Sequence, residues 1–390
     1  LAVRRAVALG VAGVALVAPG TARADGEAVT LQANRQTTLS GNVVRFSGSA
    51  TPASQGIRVH LYRRIGTTWR RIARLQSAAG GSFRASVRLW RPGRFIGRAS
   101  FPVHGGEPIV VGSRAVRVRI KPRLTTRFVG SSVVGHRLFL RGQLRPATAG
   151  ALKRTVRGVT RGVRLRRGGG FKIKLPTATA LPVRIRLHLR PAGGYVGRQT
   201  IRRKRLALPY LGSGSYGPAV RALDRQLKRQ QYALRSANKS YGTDTAQAVL
   251  AFQKVHGLSR TGRVTPRLWR LLARSKTPRA RVRKGNHIEI LKAKQVIYEV
   301  GRGRVRNVLH TSTGATGNTP VGRWRVYSKV PGFNASHMYY SLFFLRGFAI
   351  HGYHSVPAWP ASHGCARIPI WAAPGLYSRW GYGSRIIVFA

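Results

Sequence analysis

The chain holds a single cysteine, Cys365, in the run Ser362-His363-Gly364-Cys365-Ala366-Arg367, with a further histidine, His351, fourteen positions upstream. A thiol at its ordinary pKa is mostly protonated at neutral pH, and the thiolate is the nucleophile. A neighbouring imidazole that accepts the proton removes this limit by forming a thiolate and imidazolium pair. Gly364 permits close backbone approach and leaves amides free to face an oxyanion. Two other readings of these residues stay open. One is a Cys-His-His metal site, which would need His363 and Cys365, two positions apart, to alternate across a strand or turn. The other is a buried, inert cysteine beside structural histidines, and Gly364 argues against it.

Composition narrows the chemistry further. The seven acidic residues, Asp25, Glu27, Glu107, Asp224, Asp244, Glu289 and Glu299, are scattered. They cannot supply the paired carboxylates of a glycosidase or the oxygen shell of a Ca²⁺ or Mg²⁺ site. One cysteine excludes a disulfide framework within the monomer and a zinc site of several thiolates. Catalysis, if present, rests on Cys, His, Ser or Arg. Against those seven acids stand 71 Lys and Arg, a formal net charge of +64. Such a chain attracts polyanions through long-range, salt-sensitive forces, with nucleic acid or an anionic cell envelope as partner. A GC-rich genome also enriches Arg and Ala evenly along a chain, so charge alone names no partner.

The elements that must position Cys365 are legible as changes of period. Residues 1–24 read as a secretory signal, with Arg4 and Arg5, an apolar stretch over 6–18 and the small-x-small site Ala22-Arg23-Ala24. Retention as a membrane anchor is the rival reading, and either places the chain in the cell envelope or outside it. From 27 to 205 short alternating runs such as Ile57-Arg58-Val59-His60-Leu61-Tyr62 predict strands with one buried face. Arg45-Phe46-Ser47-Gly48 with Pro52-Ala53 echoes Phe139-Leu140-Arg141-Gly142 with Pro146-Ala147, which predicts two tandem β-sandwiches, 27–118 and 119–205. The Arg- and Gly-rich stretch 149–170 is expected as a long loop or an unsettled strand pair. Over 208–274 the period becomes helical, in Val220, Leu223 and Leu227 and again in Ala248, Val249, Phe252 and Val255. Thr243 or Asp244 is expected to cap the second helix, and Thr265 before Pro266 the third. A basic linker, 275–284, leads to a mostly-β domain over 286–390, with strands expected at 287–290, 295–300, 305–313, 324–330, 342–350 and 385–389.

Three resemblances follow from these residues. The strand-rich segments resemble bacterial immunoglobulin-like modules. Residues 208–274 resemble a three-helix peptidoglycan-binding domain, through Leu211-Gly212-Ser213-Gly214, Tyr241-Gly242, Phe252-Gln253 and Gly257-Leu258 followed by Gly262. Residues 286–390 resemble the YkuD-type catalytic domain of L,D-transpeptidases. Here the matching residues are His351-Gly352, Ser312-Thr313-Gly314, Thr319-Pro320-Val321-Gly322 and Ser362-His363-Gly364-Cys365-Ala366-Arg367, with Ala366 where a larger aliphatic is usual.

This last resemblance implies Cys365 as the acylated nucleophile, His351 as its base, His363 in support, and the amides of His363, Gly364 and Cys365 as oxyanion hole. It implies that Gly352 orients His351 through its carbonyl, that Ser362 and Arg367 shape the pocket, and that Tyr340 lines it. The implied reaction is 3→3 cross-linking of peptidoglycan stem peptides through a thioester, without metal or organic cofactor, and with carbapenems as acylating mimics. Water as acceptor would give an L,D-carboxypeptidase. The alternative of another class is a non-catalytic basic wall binder. Expected partners are stem peptides and glycan, with anionic cell-wall polymers drawn by charge. Nucleic acid is not expected, since the aromatic residues form no visible stacking motif and the signal directs export.

Overall fold

The computed structural model describes residues 26–390, so the signal-like segment lies outside the described residues. The chain divides into two compact units. The first takes in residues up to 127 with 141–172 and 186–201, and the second takes in 128–140, 173–185 and 202–390.

In the first unit two sheets face each other. One is built on Asn42–Thr51, flanked by Ala28–Val29, Gln32–Ala33 and Ser82–Leu89; the other runs in the order Thr37–Leu39, Val116–Lys121, Gly93–Val103, Arg58–Ile65, Thr68–Gln76, with Gly106–Gly112 also paired to Gly93–Val103. Alternation sends Val44 and Phe46 of the first sheet and Val59, Leu61, Phe95, Val118 and Ile120 of the second into one core, the packing of a β-sandwich.

A second set of strands falls partly in each unit. Its sheets run Arg123–Gly130, Leu138–Arg145, Gly170–Leu175 and Val159–Gly162, Gly150–Val156, Val183–Pro191, Arg198–Lys204. The internal repeat has a physical counterpart here. A Cβ on Gly48 would lie 2.5 Å from Phe83 Cζ, and one on Gly142 would lie 2.3 Å from Phe171 Cζ. In both copies the glycine makes room for a core ring. The stretch 149–170 contains an antiparallel hairpin, Gly150–Val156 with Val159–Gly162, turned by Arg157 and Gly158 at φ 50° and 80°. Positive φ at both central residues matches the twist of the flanking strands.

The second unit contains the three helices, α1 (Pro218–Arg229), α2 (Thr243–Val255) and α3 (Pro266–Leu272). Thr265 caps α3 as expected, its Oγ1 accepting from Leu268 N at 3.2 Å. For α2 the expectation fails: Gly242 is the cap and Thr243 already lies in the first turn. Asp244 is buried there and accepts from Arg235 N instead.

A five-stranded sheet follows, formed by β1 (His287–Leu291), β2 (Val296–Gly301), β3 (Arg304–His310), β4 (Gly322–Arg325) and β9 (Arg385–Phe389) in the order β3-β2-β1-β9-β4. The second sheet runs β5 (Ser328–Phe333), β6 (Tyr339–Leu345), β7 (Phe348–Tyr353), β8 (Ala366–Pro369), and a short helix α4 (Ala373–Arg379) follows it. The predicted strand 342–350 is thus a hairpin, because Arg346-Gly347 turns the chain between two apolar runs. The predicted strand 324–330 is likewise two strands.

Both faces of the first sheet are covered. Val296, Tyr298, Val300, Val305 and Val308 pack with Leu223, Val249, Phe252 and Trp269 of the helices, while Ile288, Ile290, Ile297 and Leu309 pack with Leu342, Ile350, Ile368 and Leu376 of the second layer. Burial on both sides explains why β2 opens on the apolar run Val296-Ile297-Tyr298 without alternation.

Candidate active site

One strand pairing sets the cysteine two strand positions from the histidine. β7 and β8 run parallel with Ile350 opposite Ala366, His351 opposite Arg367 and Gly352 opposite Ile368. Cys365, just ahead of β8, therefore comes level with Ala349, whose N–H donates to Sγ at 3.4 Å. The thiol in turn donates to the Gly347 carbonyl at 3.5 Å, at the β6–β7 turn. His351 lies two residues beyond Ala349, ~6–7 Å further along the strand at the usual rise.

His351 is 3% exposed, and its Nδ1 lies 3.0 Å from the Gly352 carbonyl. A carbonyl only accepts, so in the neutral ring Nδ1 carries the hydrogen and Nε2 keeps its lone pair. Burial lowers the imidazole to about 4; the Gly352 carbonyl opposes this and the Arg367 charge adds to it. Burial also pushes the Cys365 thiol up, against the Ala349 amide and the Arg367 charge. The resting pair is accordingly a neutral thiol and a neutral imidazole with a free Nε2.

The loop before Cys365 is fastened at nearly every residue. Ser362, 3% exposed, donates from Oγ to the Cys365 carbonyl at 2.6 Å and accepts from Gly364 N at 3.1 Å. The Gly364 amide is therefore engaged and not free for an oxyanion, which corrects the expectation for that group. No side chain occupies the amides of His363 and Cys365 among the described residues. Asn318 Nδ2 donates to the His363 carbonyl at 2.9 Å and Thr319 Oγ1 to the Gly364 carbonyl at 2.6 Å. Gly364 itself has φ +135°, and a Cβ there would come within 2.5 Å of Phe348 Cε1.

Other expected site residues are placed differently. The His363 ring is exposed and hydrogen-bonds neither Cys365 nor His351. Arg367 donates to the Ala361 carbonyl at 3.2 Å and stacks over Tyr353 at 4.3 Å. Tyr340 packs edge-on to Tyr339 and Tyr377, with centroids at 4.7 and 5.1 Å. His354 stacks on Phe333.

The sequence reading missed the support beneath this loop. Lys254 of α2 is 3% exposed, and its Nζ reaches the carbonyls of Gln295 (3.1 Å) and Thr311 (2.8 Å) and Nδ1 of His310 (2.8 Å). His310 Nε2 lies 2.8 Å from the Val356 carbonyl and must donate to it. Nδ1 is then an acceptor, and all three neighbours of Lys254 accept, a pattern complete only when the amine is protonated. Burial still pulls Lys254 far below an ordinary lysine, with Arg260 adding to the shift. The same burial, with the Lys254 charge, holds His310 neutral. The consequence is local order at the site: Thr311 Oγ1 donates to the Arg367 carbonyl, and Ser312 exchanges backbone hydrogen bonds with Arg367. Val356 lies in the loop that joins His351 to Cys365, and Arg260 holds the Ala358 carbonyl of the same loop at 3.0 Å. Asn318, beside Gly317, reads in sequence only as a turn residue, and a lysine on a helix gives no sign of burial.

Residues 285–388 match the family model of the L,D-transpeptidase catalytic domain, YkuD, and residues 216–272 match that of a peptidoglycan binding domain. An L,D-transpeptidase structure from Xylanimonas cellulosilytica is 34% identical, with 48% of this chain and 100% of that chain covered and a TM-score of 0.45. An L,D-transpeptidase structure from Mycobacterium tuberculosis H37Rv is 12% identical, with 69% and 98% covered and a TM-score of 0.25, a likeness too slight to bear on function. No curated protein matches the chain. On the family-model match, residues 285–388 form an L,D-transpeptidase catalytic domain of the YkuD type.

Proposed function

We propose that the chain is an exported L,D-transpeptidase that forms 3→3 cross-links through a Cys365 thioester. The observation that carries this reading is the parallel β7–β8 pairing, which sets the only thiol two strand positions from a buried histidine whose Nε2 is left free by the Gly352 carbonyl. The thiol turns from the Gly347 carbonyl to give its proton to Nε2, and Sγ attacks the carbonyl between the third residue of a stem tetrapeptide and its terminal D-Ala. Alignment of this kind tightens when substrate binds. The oxyanion is received by the amides of His363 and Cys365. His351 returns the proton to the departing amine of D-Ala, leaving the thioester. The side-chain amine of a second stem then attacks, His351 takes its proton, and the thiol is released as the new amide forms.

In this scheme Ser362 and Gly352 hold nucleophile and base in place, while Arg367 biases both toward their reactive forms by its charge. Tyr340 and the exposed ring of His363 belong to the surrounding surface, open to substrate. The helical domain supplies attachment to peptidoglycan, and the net charge of +64 draws anionic wall polymers. Mass spectrometry of muropeptides incubated with the protein tests the reading. Cross-linked dimers with D-Ala release are expected, and trimmed tripeptides alone would mean water is the acceptor and the enzyme an L,D-carboxypeptidase. A Cys365→Ala variant that still released D-Ala would sink the nucleophile assignment.

A further inference from the structure

Within the second unit, the linker and the β2–β3 hairpin enclose a concavity of about 520 Å³, in the size range of small-ligand sites. Five arginines line it: Arg279 and Arg283 from the linker, and Arg302, Arg304 and Arg306 from the hairpin. All five are exposed, and strand alternation explains two of them, since Arg304 and Arg306 point outward while Val305 enters the core. Among the described residues none of these five guanidinium groups makes a hydrogen bond or ion pair.

The four acidic side chains of the unit have other partners, and none of them is paired with these arginines. Glu299 is held by Arg379, Trp380 and Asn307. Glu289 accepts from the amides of Arg281 and Val282 at 3.1 and 2.7 Å. Asp224 accepts from Thr245 and Asn238, and Asp244 from Arg235.

The walls are set by the backbone before any ligand arrives. The Glu289 contacts fix the linker between Arg279 and Arg283. Gly303 N donates to the Gly285 carbonyl at 2.9 Å, and a Cβ on Gly303 would come within 2.1 Å of the Arg283 carbonyl, so only glycine allows the hairpin this close. Asn286 Oδ1 accepts from Arg302 N at 2.9 Å. Like charges gathered on a concave surface focus their field outward and raise the local concentration of counter-ions. Guanidinium forks match phosphate oxygens in pairs, and several such forks in one cleft suit an anion with several charges along its length, where a lone carboxylate brings one.

We propose that this cleft binds a run of linked phosphates, giving the catalytic domain an anion site built from none of the residues around Cys365. It does not depend on the transpeptidase reading. The linked phosphates belong either to a phosphodiester polymer or to a free polyphosphate.

Calorimetry of the full chain at ~0.15 M salt, where the Debye length is about 8 Å, tests it with two probes, tripolyphosphate and poly(glycerol phosphate). The cleft variant is Arg302→Ala, Arg304→Ala, Arg306→Ala. The charge-matched control is Arg70→Ala, Arg71→Ala, Arg74→Ala on an exposed strand of the first unit. The cleft variant should weaken tripolyphosphate binding by at least tenfold and lower the salt dependence of polymer binding by roughly three in slope, about one per cation removed. The control should change affinity by less than about twofold, as screened exposed charges do. Arg304→Lys with Arg306→Lys keeps the charge and loses the forks, and should fall between wild type and the cleft variant. Binding of both probes assigns the polymer, and binding of tripolyphosphate alone assigns the free polyphosphate. Equal losses in cleft and control variants, or no saturable binding of tripolyphosphate by the wild type, overturns the proposal.

Discussion

Replacing Lys254 by Met should loosen the site from a helix that contributes no reacting atom. Met fills a similar volume without a donor, so the substitution leaves two buried acceptors unpaired, the Thr311 carbonyl and Nδ1 of His310, while the Gln295 carbonyl keeps the Thr311 amide at 3.2 Å. An unsatisfied buried acceptor costs about 1–3 kcal/mol. Against that sum, the variant no longer has to bury an ammonium, which offsets several kcal/mol of desolvation. A net loss of ~3 kcal/mol is expected, within the range for breaking one side of a buried polar network. It should be local, because Thr311 and Val356 are the backbone points that the Lys254–His310 pair holds. Urea unfolding of the full chain gives the total. Hydrogen exchange over residues 311–314 and 354–361 gives the location, where protection should fall by roughly a hundredfold for each 2.7 kcal/mol lost. Carbapenem acylation of Cys365, followed by intact mass, should slow in the same variant, whereas Lys228→Met on the exposed side of α1 should change neither measurement. A stability loss below ~1 kcal/mol with unchanged exchange and acylation would refute the coupling.

Other substitutions and conditions probe the site directly. His351→Ala should cost ~10²–10⁴-fold in acylation rate, the usual range for a general base, while His354→Ala, which removes only the ring stacked on Phe333, should stay within a few-fold; equal losses would reassign the base. Gly364→Ala places a Cβ 2.5 Å from Phe348 Cε1 at φ +135°, so acylation should fall and stability should drop by about 1–3 kcal/mol; an unaffected variant would show that the loop does not need this conformation. With His351 lowered to about 4 and the thiol raised, the neutral pair persists across the physiological range, so kcat/KM should be flat between about pH 5.5 and 8, and an inflection near 6.5 would show an ordinary histidine. Both His351 and His310 have folded values below their unfolded ones, so the stability they contribute is complete above about 6.5 and lost as pH falls toward 3–4; unfolding midpoints that do not change across that window would contradict it.

Local signals in the sequence determined much of this protein. The period of two in Arg58–Ile65, the helical spacing of Val220, Leu223 and Leu227, and the Thr265-Pro266 start of α3 depend on neighbouring residues alone, and each appears as expected. The His351 and Ser362 to Arg367 segments were legible because a thiol nucleophile needs a base and a flexible approach, and the chain has one cysteine with which to satisfy that need. Tertiary structure decided what depends on distant partners. The run 342–350 splits at Arg346-Gly347 because its two halves pair with each other, and β2 loses alternation because helices and a second sheet cover both its faces. That the Gly364 amide is engaged follows from a serine hydroxyl whose rotamer no spacing encodes. Lys254 shows the limit most plainly. On a helix it reads as a solvated charge, and only the packing of α2 against β2 and β3 removes it from water and presents three acceptors in place of solvent, so its role resides in contacts 41, 56 and 57 positions away along the chain.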